Sequence, residues 1–529
     1  MNRSPYYLFS FLCLFCLHNQ GFAAVRLAGV FTSHMVLQRD REVPVWGWAD
    51  PGETVEVRFG DASITTKAKD SGRFEARLPS MKVSTKGQEL LVTGQTGKVV
   101  LTDVLVGDVW LCGGQSNMDW PLHLCKAPAD VGSANHPAIR HFAVDLSFSP
   151  TPREDCQGQW QVCTPQTAGG FTAVGYYFAQ KVHKETGVPI GILRSSVGGT
   201  NIELWMSQKT LMETPALEPF AKSMRESLAQ WRKELIRDLP QMDKWSANVK
   251  DALKTGAPIP PPPAFPEYPF GEKMFRPRCV TLYNGMIHPI IPFAVRGFLW
   301  YQGESNAGQW PVAAQYIEKK KALVADWRNY FGGGAELPFY FVQLAAWQKP
   351  NNDPAAADDW AHLREAQRHC LKAIPSTGMA VATDIGDADD IHPANKGDVG
   401  ERLARWALRD VYGKKDGEVS GPLFLKATPE DARLVVEFEH AKSGLMAASK
   451  EGRKDPIARN KGPGGFAIAG ADRKWQWADA RIDGNRVILS HPAIAKPIAV
   501  RYGYSINPVL ADLYNKDGLP ASPFRSDDW

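Results

Sequence analysis

The sequence predicts an α/β protein: a parallel sheet covered on both faces by helices, with smaller β units on either side. Three observations carry that expectation. Apolar runs such as "DVLVGDVWLC" (103–112), "VPIGILRSS" (188–196) and "PFYFVQLA" (338–345) lack the alternation of a half-buried strand, so they read as strands buried on both faces. Helical patterns lie between them: "VGYYFAQKVHKET", stopped by Gly187, and the amphipathic "AAQYIEKKKALVADWRNYF". On both flanks the pattern changes to short alternating runs broken by turn residues.

The N-terminal flank holds "EVPVWGWADPGETVEVRFG", "RFEARLPS" and "ELLVTGQ", which predict a small β sandwich. Between this flank and the second helix, "AVRGFLWYQGES" (294–305) adds a further strand to the central sheet. A helix is expected from about Lys396 to Val411, after which "ARLVVEFEH", "FAIAG", "RVILSH" and "IAVRYGYS" return to short β runs. One interruption breaks the α/β rhythm: residues 215–255 read as a charged helix, followed by "GAPIPPPPAFPEYPF", with seven prolines in fifteen residues, which is extended and semi-rigid. It suits a substrate-binding arm or lid as well as a surface excursion without a role.

Residues 1–23 differ from the rest. Arg3, the apolar "YLFSFLCLFCL" and the small residues of "GFA" predict an export signal cleaved near Ala23, and hence a secreted or periplasmic protein. The expected organisation is therefore a signal at 1–23, an N-terminal β unit at 24–101, the α/β unit at 102–411 with its insertion at about 206–275, and a C-terminal β unit at 412–529. No later segment offers about 18 uninterrupted apolar residues, so no membrane span is expected. The formal net charge of +4 falls to +3 when Arg3 leaves, too near neutral to point to nucleic acid. Six cysteines follow the signal without a CxxC pair. Cys156 and Cys163 are spaced to close a small loop, and Cys112, at the end of an apolar strand, reads as a free buried thiol.

The chemistry gathers around "WLCGGQSNMDW", in which a buried strand ends and the chain turns at Ser116. Ligands in open α/β sheets bind at the carboxyl ends of strands, which is where this hydroxyl would be presented. The stretch "GQSNM" carries Met118 where a nucleophile elbow has its last glycine, so that fold is disfavoured. A serine also needs a base, and His392 stands in acidic company in "TDIGDADDIHPANK". Asp389, three residues before it, has the spacing to turn a carboxylate onto the imidazole. His288, His362 and His369 read as structural. A rival reading gathers Asp384, Asp387, Asp389, Asp390 and His392 around a hard cation.

Donors for an oxyanion are available from Gly198 or Gly199 in "RSSVGGTNIELW" and from Gln302 or Asn306 in "WYQGESN". Ser195 and Ser196 are nucleophiles on paper only, being better read as hydroxyls bonded at a strand end. Glu304 lacks the second carboxylate that a glycosidase needs and is expected to orient its neighbours. Trp120, Trp205, Trp300, Trp310 and Trp347 lie near these blocks and suit either sugar stacking or core packing.

Taken together, "MVLQRDREVPVWGWADPGE", "VGDVWLCGGQSNMDWPL", "SSVGGTNIELW", "YNGMIHPI" with "GFLWYQGESNA", "DIHPANKGDVGERLA" and "RYGYSINPVLADLYNKDGLPASPFRSD" resemble the sialate O-acetylesterase family within the SGNH (GDSL-like) hydrolases. The resemblance implies a flavodoxin-like three-layer α/β/α domain flanked by β domains, removing acetyl groups from sugar hydroxyls without a metal or other cofactor. It implies Ser116 as nucleophile and His392 as base. The N–H groups of Ser116 and Gly199 and the side chain of Gln302 form the implied oxyanion hole. Asp389 is the expected third triad member, with Asp390 or Asp387 as alternatives. Asn117, Glu304, Asn306 and Trp120 are expected to line the substrate. "GQS" and "YQGES" depart from the G-D-S and asparagine of the wider superfamily while matching this branch. The expected partner is an O-acetylated sugar or polysaccharide, sialic acid and acetylated xylan being rivals, with Arg194 or Arg278 as candidate cations for a carboxylated sugar. A non-catalytic carbohydrate-binding protein and a metal-dependent hydrolase are the alternatives from other classes.

Overall fold

A computed structural model describes residues 25–95, 97–269 and 279–529. The expected signal and Arg278 lie outside these residues.

The block that carries Ser116 follows one unusually long strand, Lys98–Gly114 (β1). Its first half pairs antiparallel with Ser84–Thr93 and its middle parallel with Val36–Gln38, so it belongs to the N-terminal β unit. Its second half, from Asp108, joins the parallel sheet. The boundary expected at Leu101 therefore falls inside a single strand. In the N-terminal unit, Thr54–Phe59 and Arg73–Leu78 bury every second residue, which is the period of a half-buried strand. The apolar core from Val25 to Leu423 is continuous, and residues from Leu434 onward build a separate core.

Six further strands complete the central sheet: His136–Ala143 (β2), Trp160–Cys163 (β3), Ile190–Ser196 (β4), Gly297–Tyr301 (β5), Phe339–Gln343 (β6) and Thr377–Val381 (β7). Their order is β3-β2-β4-β1-β5-β6-β7, all parallel except the antiparallel β3 edge. After β1 the chain builds β2, β3 and β4 on one side, β4 returning to lie against β1, and then crosses to add β5, β6 and β7 outward on the other, so strand order reverses beside β1. The carboxyl end of such a strand opens onto a crevice, and Ser116 stands there.

The short helix Ser116–Asp119 (α1) follows β1. The longer helices are Ala173–Thr186 (α2), Glu218–Thr255 (α3), Gln315–Tyr330 (α4), Asp359–Ala373 (α5) and Lys396–Asp410 (α6). Thr172 caps α2 and Gly187, at φ 71°, ends it, as the sequence pattern requires. Helices α2 and α6 pack together closely because Gly400 has no side chain: a Cβ there would stand 2.7 Å from both Tyr177 Cβ and the Val174 carbonyl oxygen. Helix α5 and strand β7 were not apparent from periodicity. Helix α3 carries the expected charged stretch, and the proline run from 256 to 269 returns along it without regular structure. Trp245 and Trp231 hold that return by donating to the carbonyls of Pro260 and Pro266.

All six cysteines after the signal are thiols. Cys156 and Cys163, spaced for a bridge, are separate thiols: Cys163 Sγ lies 3.8 Å from the Ala134 carbonyl oxygen, and burial pushes the two up to about 12 and about 11. Cys112 is fully buried, as expected.

Candidate active site

The turn after β1 is possible because of its glycines. Gly114 has φ 136°, and a Cβ there would lie 2.2 Å from the Tyr301 carbonyl oxygen on the neighbouring strand β5. The chain leaves the sheet between β4 and β5 and puts the half-buried Ser116 at the first turn of α1.

His392 reaches it from a loop 276 residues further along the chain, with Nε2 2.8 Å from Ser116 Oγ. That is hydrogen-bonding distance for a nucleophile and its base. The ring of Trp120 stacks on the imidazole, with centroids 4.6 Å apart and planes within 13°. His392 Nδ1 lies 3.3 Å from Asp390 Oδ1, an oxygen that also accepts the backbone N–H of His392 at 2.8 Å. This corrects the expectation for Asp389. Two successive side chain-to-backbone turns fix the loop: Asp387 accepts the N–H of Asp389, and Asp390 that of His392. Both carboxylates are exposed, and the second turn leaves Asp390 the one beside the ring.

The cation reading of this loop loses its first carboxylate. Asp384 is bound by both terminal nitrogens of Arg402, at 2.7 and 2.8 Å, and by the Tyr514 hydroxyl.

Gly198 comes close to Ser116: a Cβ on it would stand 3.4 Å from Ser116 Cβ. Gly199, next to it, is exposed at φ 69° with open space around it. Among the described residues, neither the Ser116 nor the Gly199 N–H makes a backbone hydrogen bond. Gln302 is different. Its amide nitrogen donates to Thr200 O at 3.1 Å and Asn306 Oδ1 at 2.7 Å, and its oxygen accepts from the Tyr316 hydroxyl. Both amide protons are spent bracing the glycine loop, so the structure does not offer Gln302 as a free oxyanion donor.

Two residues expected to meet substrate are likewise committed inside the protein. Asn306 accepts the Ile202 N–H and donates to Glu203, which is paired with Lys319. Asn117 is buried and donates to Glu304 Oε1 at 2.6 Å and to the Ile391 carbonyl oxygen at 3.1 Å. Glu304, also expected to line the substrate, thus has Oε1 turned to Asn117, and burial pushes its carboxyl above the ordinary range. Ser195 and Ser196 are buried and bonded, to the Met286 carbonyl oxygen and to Asp119. Arg194 is paired with Asp119. His288, His362 and His369 bond to Arg153 O, the Tyr504 hydroxyl and Glu365, respectively. Trp205 and Trp300 are fully buried, and Trp310 is exposed.

The sequence reading missed Lys396. It is fully buried beneath the site and donates to Asn117 Oδ1 and Pro393 O. The only signal was a lysine four residues after the histidine, at the start of a helix, where a cation ordinarily reads as solvated. Burial, and then the charge of Lys396, hold His392 below its ordinary value of 6.5 against the opposing pull of Asp390.

A family model described as carbohydrate esterase, sialic acid-specific acetylesterase, matches residues 106–233 and 271–409. The unmatched gap coincides with the outer part of α3 and the proline run. The mouse sialate O-acetylesterase is 28% identical over 545 residues, 94% of each chain, and the human protein of that name is 29% identical over 432 residues, 75% of this chain and 73% of the human one. Among solved structures, a carbohydrate acetylesterase from Xanthomonas citri is 38% identical with a TM-score of 0.77, the match covering 96% of this chain and 100% of that one. The chain is an esterase, and it belongs to the sialic acid-specific acetylesterase family of carbohydrate esterases.

Proposed function

We propose that this esterase hydrolyses O-acetyl esters on sugar hydroxyls, those of sialic acid among them, through an acetyl-serine intermediate on Ser116. The observation that carries this is the 2.8 Å approach of His392 Nε2 to Ser116 Oγ at the mouth of the strand-order reversal. Support also comes from the relatives named sialate O-acetylesterase and carbohydrate acetylesterase. We read the sheet, with α2 and α6 packed as one helix pair and α4 and α5 as another, as the flavodoxin-like three-layer arrangement. Export belongs to the same reading; no helix of the described residues is long and apolar enough to cross a membrane.

Ser116 Oγ attacks the acetyl carbonyl carbon as its proton passes to His392 Nε2. The oxyanion is received by the N–H groups of Ser116 and Gly199, held in place by the Gln302 brace on Thr200. Such preorganised donors are worth roughly 3–4 kcal/mol each. The imidazolium returns its proton to the departing sugar oxygen. Water, deprotonated by the same ring, then releases acetate and restores the serine. Asp390 steadies the Nδ1 proton.

Acetate release from a panel of acetylated sialosides and xylo-oligosaccharides, with Ser116→Ala as reference, tests the reading. Faster turnover of sialosides is expected. Turnover confined to xylo-oligosaccharides would reassign the substrate, and turnover of neither would end the proposal.

Two further results are expected. The base must be neutral, and its pKa is depressed, so activity persists below pH 6.5 and is lost only as the pH falls through the lowered value. An acid limb of kcat/KM at or above 6.5 would contradict this. The Asp390 carboxylate is half exposed and 3.3 Å from Nδ1. Asp390→Asn is therefore expected to lower kcat by about 10- to 100-fold, less than for a fully buried triad aspartate. Asp389→Asn should stay within about twofold, since exposed substitutions without a specific partner do little. The reverse ranking in steady-state kinetics would restore Asp389 to the triad.

A further inference from the structure

Lys396 occupies a position that local preference disfavours. It is fully buried, and it is the first residue of α6, where the positive end of the helix dipole repels a cation. Its surroundings show what holds it there. Nζ donates to Asn117 Oδ1 at 2.5 Å and to Pro393 O at 2.8 Å, and lies 5.7 Å from the ring centroids of both Trp120 and Tyr301. Asn117 directly follows the nucleophile, and its own amide donates to Ile391 O. The two carbonyls flanking His392 are thus both tied to Asn117, one directly and one through the lysine. Trp120, against which Lys396 sits, carries the imidazole on its face.

We propose that Lys396 is a positioning residue of the hydrolytic reaction: it clamps the Ile391–Pro393 turn onto the helix of the nucleophile and so holds the His392 ring against Ser116. This rests on the Ser116–His392 reading above.

The charged groups facing the ring are few. Asp390, on its own loop, favours the imidazolium, and Lys396, from α6, opposes it; α1 and the residue after it present Ser116 and Trp120, neither of them charged. Lys396 in turn faces Asp390, Glu304 and Cys125. Asp390 is 49% exposed at its side chain while Lys396 is buried, so solvent weakens the aspartate's influence more than the lysine's. Burial pushes Lys396 down to about 7. It therefore carries its charge across the acid range in which His392 would take up a proton. Removing that charge raises the histidine's pKa, and the acid limb of activity moves to higher pH.

The test compares Lys396→Met, Lys396→Arg and Asn117→Ala with the wild-type protein, using kcat, KM and the pH profile of kcat/KM on an acetyl ester, with folding checked by thermal melting. A misplaced base costs up to about 100-fold, so Lys396→Met should lose about 10- to 100-fold in kcat with KM nearly unchanged. Its acid limb should move upward by about half a pH unit or more, since half a unit corresponds to about 0.7 kcal/mol of lost charge interaction. Lys396→Arg should keep the limb near its wild-type position. Asn117→Ala, which removes the link but not the charge, should lower kcat about tenfold without moving the limb. A folded Lys396→Met with wild-type kcat and limb overturns the proposal, as does an equal upward shift in Lys396→Arg. If Lys396→Met does not fold, Asn117→Ala decides, and wild-type kcat there overturns the clamp. Failure of the underlying reading looks different: Ser116→Ala would then retain activity, whereas an inactive Ser116→Ala beside an unaltered Lys396→Met sinks this proposal alone.

Discussion

Replacing Ser116 with alanine lowers kcat on an acetylated sugar by about 10⁴-fold or more, with KM little changed. The substitution removes one oxygen, whose partner is His392 Nε2, from a half-buried position at a helix start, so packing is barely touched. Covalent catalysis disappears with that oxygen. The backbone donors and the sugar contacts remain, which leaves a residual rate above that of water. His392→Ala should cost a similar factor, and the double variant little more than either alone, because nucleophile and base act as one unit. Steady-state acetate release measures all three. Activity of Ser116→Ala within tenfold of wild type would place the nucleophile elsewhere, and fully additive losses would mean that serine and histidine do not share a step.

The largest effect on stability is expected at Arg364. Its side chain on α5 is fully buried, and its guanidinium donates to four carbonyl oxygens: Leu344, Ala345, Ser505 and Ile506. Two belong to the segment after β6 and two to the C-terminal β region, so a single side chain satisfies both. Burial pushes the guanidinium down to about 10, which leaves it charged at neutral pH. Arg364→Met fills much of the same space but abandons four buried acceptors, at a cost of roughly 3–5 kcal/mol. Denaturant unfolding of the whole chain measures it. The same substitution loosens the segment leading to Trp347, whose backbone bridges to Asp387 in the histidine loop, so a fall in activity should accompany the loss of stability. A variant within 1 kcal/mol of wild type would mean that water replaces the guanidinium.

Much of this was legible in the sequence. The sheet's parallel strands announce themselves as unbroken apolar runs, and Ser116 and His392 stand out because the serine follows a Gly-Gly turn at the end of a buried strand and the histidine follows a run of aspartates. What escaped notice has physical reasons. Helix α5 presents Arg364, Glu365, Gln367 and Arg368 to the interior, so a search for an apolar stripe passes over it. The choice between Asp389 and Asp390 turns on which carboxylate caps which backbone N–H, a matter of one residue that spacing cannot resolve. Gln302 and Asn306 read as free donors in the sequence because a sequence shows donors but not their acceptors. Lys396 was passed over because a lysine is usually solvated, and only the fold reveals that an asparagine and a proline carbonyl shelter this one.

The long strand β1 has a consequence for how the molecule can move and how it can be cut. A hinge between the N-terminal unit and the sheet bearing Ser116 would have to bend a backbone that is hydrogen-bonded on both sides of the crossing point. The small unit is thus a splint for Ser116 rather than an appendage on a leash, and severing the chain at Leu101 would fray the very ribbon that aims the hydroxyl.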